Sequence, residues 1–128
     1  MIAVTRYEVP DDEIDEFRTL ARPAVQALAR REGCEQVRLG RNLDEPRLWL
    51  LVSVWRGVGD YRRALSNPEV KLRAVPLMYR CIDEPTAYED LVTWSPETGL
   101  AEHESDRARV LPPPGRKPDR NGGGFRVP

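Results

Sequence analysis

The chain has 128 residues, and its 20 Lys and Arg against 21 Asp and Glu leave a formal net charge of -1. That length suits one domain with a single core, and the charge balance offers no basic footprint for nucleic acid or an anionic membrane. No apolar run approaches the roughly 18 residues that span a bilayer; Cys34, Cys81 and the single His103 show no metal-ligand spacing, so a protein-built zinc or iron site is not expected.

In chain order, Met1 to Arg6 lacks the basic segment and long apolar stretch of a signal peptide and is expected to open a first strand, Ile2 to Val9, closed by Pro10. With no export signal, reduced thiols in a cytoplasm are expected. Asp11 and Asp12 offer an N-cap. Ile14, Phe17, Leu20, Ala21, Ala24, Val25 and Leu28 then recur at three- and four-residue steps, predicting one amphipathic helix, bent at Pro23 and stopped by Gly33. Cys34 to Leu43 reads as a second strand, and Asp44-Glu45-Pro46 as a turn.

The run from Arg47 to Arg56 is apolar on both alternating faces: Leu48, Leu50, Val52 and Val54 on one, Trp49, Leu51, Ser53 and Trp55 on the other. A sheet with one wet face alternates apolar with polar. This strand therefore predicts a sheet covered twice, by its own helices and by a second copy of the chain. Asp60 is expected to cap a short helix, Tyr61 to Leu65. Ser66-Asn67-Pro68-Glu69 starts another that reaches about Val75, with Pro76 near its end. Leu77 to Asp83 is ambiguous, and Thr86 to Trp94 reads as the final strand.

The resulting β-α-β-β-α-β order predicts an α+β, ferredoxin-like sandwich over residues 1–94, with both helices on one sheet face. Residues 95–128 hold Pro112-Pro113-Pro114 and Gly122-Gly123-Gly124 and few large apolar groups. They are expected to form an extended C-terminal tail, flexible or docked on the partner subunit through Val110-Leu111 or Phe125-Arg126-Val127. A proline-rich tail also allows a protein partner.

Gly33-Cys34-Glu35, Arg38-Leu39-Gly40-Arg41-Asn42, Leu50-Leu51-Val52-Ser53-Val54-Trp55, Tyr61-Arg62-Arg63-Ala64-Leu65 and Asn67-Pro68 together resemble the antibiotic biosynthesis monooxygenase domain. The resemblance covers about residues 1–94. It implies a homodimeric α+β barrel with one cavity per subunit between helices and sheet. It also implies oxidation of phenolic, polyketide or quinol-like molecules by oxygen without metal or flavin, the site stabilising a deprotonated substrate. The chain departs from the better-known oxygenases by lacking a tryptophan on the helix after strand three. Residues 69–75 hold no histidine, which excludes the haem-degrading branch.

On that resemblance Trp55 and Tyr61 become aromatic walls, with Arg62 or Arg38 placed to stabilise an oxyanion. Tyr7, Asn42 and Tyr79 are further substrate-binding candidates, and Arg80 is a guanidinium donor near the expected cavity mouth. Arg38 and Asn42 are expected to share a face of strand two, and Arg6 and Tyr7 to point to opposite faces. Two other functions fit the same barrel. One is a polyketide cyclase or isomerase using an acid/base such as Glu8; the other is a non-catalytic binding or assembly module.

Overall fold

The computed structural model describes residues 1–105. Four strands form one antiparallel sheet: β1 (Ile2–Glu8), β2 (Cys34–Arg41), β3 (Leu48–Trp55) and a two-residue β4 (Ala87–Tyr88), in the order β2-β3-β1-β4. Between β1 and β2 runs α1 (Ile14–Ala29), and β3 leads into α2 (Val58–Leu65), α3 (Pro68–Arg73) and α4 (Val75–Met78). This is the expected ferredoxin-like α+β sandwich. A separate hairpin, β5 (Val92–Ser95) with β6 (Gly99–Glu102), follows the sheet.

Alternation along the strands sorts every residue to one of two faces. Ala3, Thr5 and Tyr7 of β1 and Trp49, Leu51, Ser53 and Trp55 of β3 are all buried. Phe17, Ala21, Ala24, Ala27 and Leu28 of α1, with Tyr61, Val70, Leu77 and Met78 of the later helices, complete that core. The other face carries Ile2, Val4 and Arg6 opposite Val54, Val52 and Leu50, with Gln36, Arg38 and Gly40 beyond them. Its apolar residues are only half-buried. The two-faced strand therefore does have two different faces.

Several boundaries differ from expectation, each for a local reason. Asp11 and Asp12 accept no capping hydrogen bond; they form a 3-10 turn (Asp11–Glu13), and Asp11 pairs with Arg47 instead. The helix α1 passes through Pro23 as one element, carried by its buried stripe, although Leu20 stays partly exposed. Gly57, not Asp60, precedes α2, so Asp60 lies within the first turn. Asn67 does cap α3, its Oδ1 accepting from the backbone N–H of Glu69 and Val70. Pro76 is the second residue of α4, in the first turn where its missing N–H costs nothing, and so does not end the preceding helix. Of the expected strand from Thr86 to Trp94, only β4 joins the main sheet; Val92 to Trp94 belong to β5 of the separate hairpin, and regular structure continues to Glu102. The remaining tail expectations, at Val110-Leu111 and Phe125-Arg126-Val127, fall outside the described residues.

Candidate active site

Polar groups are rare in a core of this size, and here they form a row beneath the helices. On β1 the Thr5 Oγ1 and Tyr7 Oη share a 2.6 Å hydrogen bond. On β3 the Trp55 indole N–H donates to Ser53 Oγ at 2.7 Å. Each pair is two residues apart on one strand, the spacing that keeps both side chains on one face. Tyr61, delivered by α2, lays its ring 5.5 Å from that of Trp55. At the other end Phe17 of α1 meets Tyr7 at 5.1 Å and the edge of Trp49 at 5.5 Å. Trp49 and Tyr7 are register partners. The Trp49 indole N–H is buried with no hydrogen-bond partner among the described residues, an unmet donor of a kind native cores seldom tolerate.

A cavity of about 290 Å³ opens against this aromatic row, with Tyr7 and Phe17 as walls and Glu8, Glu13 and Arg80 among its polar lining. The Arg80 guanidinium reaches Glu16 at 3.5 Å and remains half-exposed at the mouth. Arg80 also borders a second cavity of about 420 Å³ that includes Leu20, Leu72 and Leu77. A larger hollow of about 620 Å³, between α1 and β2, is lined by Arg18, Arg22 and Leu39 and lacks any residue of the aromatic row. The smallest of the three is the better candidate because Tyr7 and Phe17 of the aromatic row line it beside Glu8, Glu13 and Arg80; Trp55 and Tyr61, expected as its walls, are not among its lining residues.

Burial pushes the Tyr7 phenol well above its ordinary range, and the hydrogen bond with Thr5 only partly offsets this. Burial likewise raises Tyr61, with Tyr7 and Cys81 adding to the effect. Both phenols therefore stay protonated at neutral pH and act as hydrogen-bonding groups, not bases. Among the described residues no cluster of three His, Cys, Asp or Glu could hold a metal, and no helix is long and apolar enough to cross a membrane. Cys34 and Cys81 are free thiols.

Of the residues singled out in the sequence, Tyr7, Trp55 and Tyr61 converge under the helices. Glu8 and Arg80 line the cavity with Tyr7, whereas Arg38, Asn42, Arg62 and Tyr79 do not join them. Arg38 lies opposite Val52 and so on the face away from the helices. Asn42 stands one residue past β2, where its Oδ1 accepts from the backbone N–H of Asp44 and Glu45 and builds the turn. Arg62 is exposed on α2, and Tyr79 is 67% exposed beyond α4. Phe17 and Trp49 were missed as site residues although each was visible: Phe17 on the apolar stripe of α1, Trp49 on the same β3 face as Trp55.

The four-stranded antiparallel sheet with its helices on one face places the chain in the class of ferredoxin-like α+β sandwiches. Within it, the chain belongs to the antibiotic biosynthesis monooxygenase family, whose model matches residues 1–72. Solved structures agree. SnoaB, a cofactor-independent oxygenase from Streptomyces nogalater, is 25% identical, with 63% of this chain and 82% of that one covered and a TM-score of 0.55. A protein from Deinococcus radiodurans named for the same family shares the fold at 21% identity, TM-score 0.59, covering 70% and 90% of the two chains. A conserved protein from Methanosarcina mazei shares it at 21% identity, TM-score 0.57, covering 67% and 84%. No curated protein matches.

Proposed function

We propose that the protein is a cofactor-independent monooxygenase that oxidises an aromatic, polyketide- or quinol-like small molecule with molecular oxygen. The observation that carries this reading is the cavity walled by Tyr7 and Phe17 with Arg80 at its mouth, in a chain whose relatives include a cofactor-independent oxygenase. A flat ring would lie against the aromatic walls. Arg80 would stabilise its oxyanion, a role that fits a guanidinium better than an ammonium. The substrate gives up a proton, its anion passes an electron to oxygen, and a C–O bond forms. Loss of water then turns a ring methylene into a carbonyl, so one oxygen atom enters the product and the other leaves in water. With both buried phenols protonated, Tyr7 serves as a hydrogen-bonding wall and the base is solvent or a carboxylate at the mouth.

The same reading makes the protein a homodimer in the cytoplasm. Support for the dimer is the half-buried row of Ile2, Val4, Leu50, Val52 and Val54 on the face the helices leave open. Glu8 and Glu13, which line the same cavity, favour proton-transfer chemistry such as cyclisation or isomerisation as the second reading.

Oxygen uptake by the purified protein with a panel of anthrones, naphthols and quinols, chelator present, separates the two. Uptake above the spontaneous rate is expected, with Arg80→Ala lowering kcat/KM by about 100-fold and Arg62→Ala, on the outside of α2, leaving it unchanged. Absence of uptake across the panel overturns the oxygenase reading. Turnover without uptake establishes the second.

A further inference from the structure

The aromatic cavity has a neighbour. Its walls continue along two elements into the second cavity, of about 420 Å³, between α1 and the α3–α4 pair. On α1, Phe17 lines the first and Leu20 the second, and residues three apart on a helix share one face. On the other side Arg80 lines both, and its backbone N–H donates to the carbonyl of Leu77, a residue of the second cavity alone. At about 290 Å³ the first cavity lies at the lower limit of the roughly 300–1,000 Å³ that ligand pockets occupy. It has room for a ring, and a substituent on that ring must extend beyond it.

The two cavities differ in charge. Glu8 and Glu13 line the first. The charged residues lining the second are Arg73 and Arg80, with no carboxylate beside them, and the rest of its wall is leucine and proline. Arg80 meets Glu16 at 3.5 Å, whereas Arg73 has no ion pair or side-chain hydrogen bond among the described residues. Leu20 belongs to the apolar stripe of α1 that otherwise enters the core, yet it is 38% exposed where it borders this opening, and Leu72 across from it is 70% exposed. Apolar walls that carry guanidinium groups and no anion suit a hydrocarbon chain with an anionic end.

We infer that the second cavity is the subsite for the substrate's side chain, and that this side chain ends in a carboxylate. The inference rests on the oxygenase reading for the placement of the ring in the first cavity. The substrate class is thereby narrowed to an aromatic ring bearing a carboxyalkyl chain. Arg80 stands at the junction and meets the oxyanion of the ring, Leu20, Leu72 and Leu77 hold the chain, and Arg73 takes the carboxylate by charge-assisted hydrogen bonds. Arg73 is a specificity residue that touches no reacting atom.

The test uses a naphthol carrying a pentanoic acid chain, its primary amide and the chainless naphthol, each measured by equilibrium dialysis against the full chain. The acid should bind about 10-fold more tightly than the amide, the size of one charge-assisted contact. Arg73→Ala should bring the acid down to the level of the amide, and Arg73→Lys should restore part of the preference. Lys71→Ala, on the same helix but outside both cavities, should leave the preference intact. Equal binding of acid and amide overturns the inference, as does a preference that survives Arg73→Ala or a chain that adds nothing to the affinity of the bare naphthol. Dialysis reads binding without turnover, so the two readings fail separately. A preference for the acid with no oxygen uptake overturns the oxygenase alone, and uptake with no preference overturns the subsite alone.

Discussion

The two faces of the four-stranded sheet are built from alternate residues of the same strands, yet they have different chemistry. Beneath the helices lie Tyr7, Trp49 and Trp55 with the hydroxyls of Thr5 and Ser53, all sealed by this chain's own α1 and α2. On the other side are Ile2, Val4, Leu50, Val52 and Val54, half-buried, with Arg6 held by Glu84 and no aromatic on β1 or β3. Aromatic rings with polar handles suit a face that must hold a ring-shaped guest, whereas β-branched aliphatics suit a flat sheet awaiting another sheet. A shift of one position in the sequence moves a residue from one task to the other. The difference can be broken experimentally by asking whether substitutions on the two faces damage different properties.

The largest expected effect comes from the sealed face. Trp55 is 1% exposed, its indole bound to Ser53 and its ring against Tyr61. Trp55→Ala leaves a cavity and strands the Ser53 hydroxyl, and should cost about 3–5 kcal/mol of unfolding free energy by urea titration. A loss below about 1 kcal/mol would mean that the aromatic row is not the core of the fold.

That Trp55 and Trp49 share a face was legible from the alternation of β3 alone, because a period of two needs no tertiary knowledge. The same rule separated Arg6 from Tyr7 correctly. It misplaced the polar candidates, for physical reasons that alternation cannot register. Arg38 follows an irregularity between Cys34 and Gln36, and alternation could not tell which face of β2 the helices would take. Asn42 lies beyond the strand, and its side chain closes a turn, a task open to any Asn ahead of Asp-Glu-Pro. The hairpin at Val92–Glu102 was hidden because its large apolar residues point to solvent, so its pattern matches neither a core strand nor a polar loop. The cavity mouth depends on where Arg80 returns after α4, a distance set by the packing of three short helices.

On the open face, Val52 is flanked across the sheet by Val4 and Arg38. Val52→Arg would bury an unpaired charge in an interface between two copies while sparing the helix side. Association should weaken by about 100-fold, near 3 kcal/mol, by sedimentation at several concentrations, with the monomer still folded by circular dichroism. A chain that is monomeric before any substitution removes the dimer from the functional reading. A variant that unfolds instead would show that the two faces are not separable.

The smallest effect sharpens the comparison from its edge, where β3 leaves the sheet. Asp60 is buried and accepts from Arg56 at 2.9 and 3.0 Å and from Arg63 at 2.7 Å. Those hydrogen bonds, from Arg56 first and then Arg63, lower its carboxyl from 3.8 to about 2 against the opposing cost of burial. Its ring of contacts also fixes Gly33, whose φ of +85° favours glycine and where a Cβ would stand 2.4 Å from the Asp60 carboxyl carbon. The folded protein holds this proton less tightly than the unfolded chain does. The stabilisation is therefore complete above the ordinary carboxylate range and is lost as pH falls through about 2. Wild type should exceed Asp60→Asn in urea midpoint at neutral pH, and the gap should narrow below pH 3.8 and close near pH 2. Other acids shift in both proteins and cancel in the difference. A gap constant with pH would mean that Asp60 works by its fit against Gly33 and not by its charge, and a change in dimer dissociation would tie this corner to the open face after all.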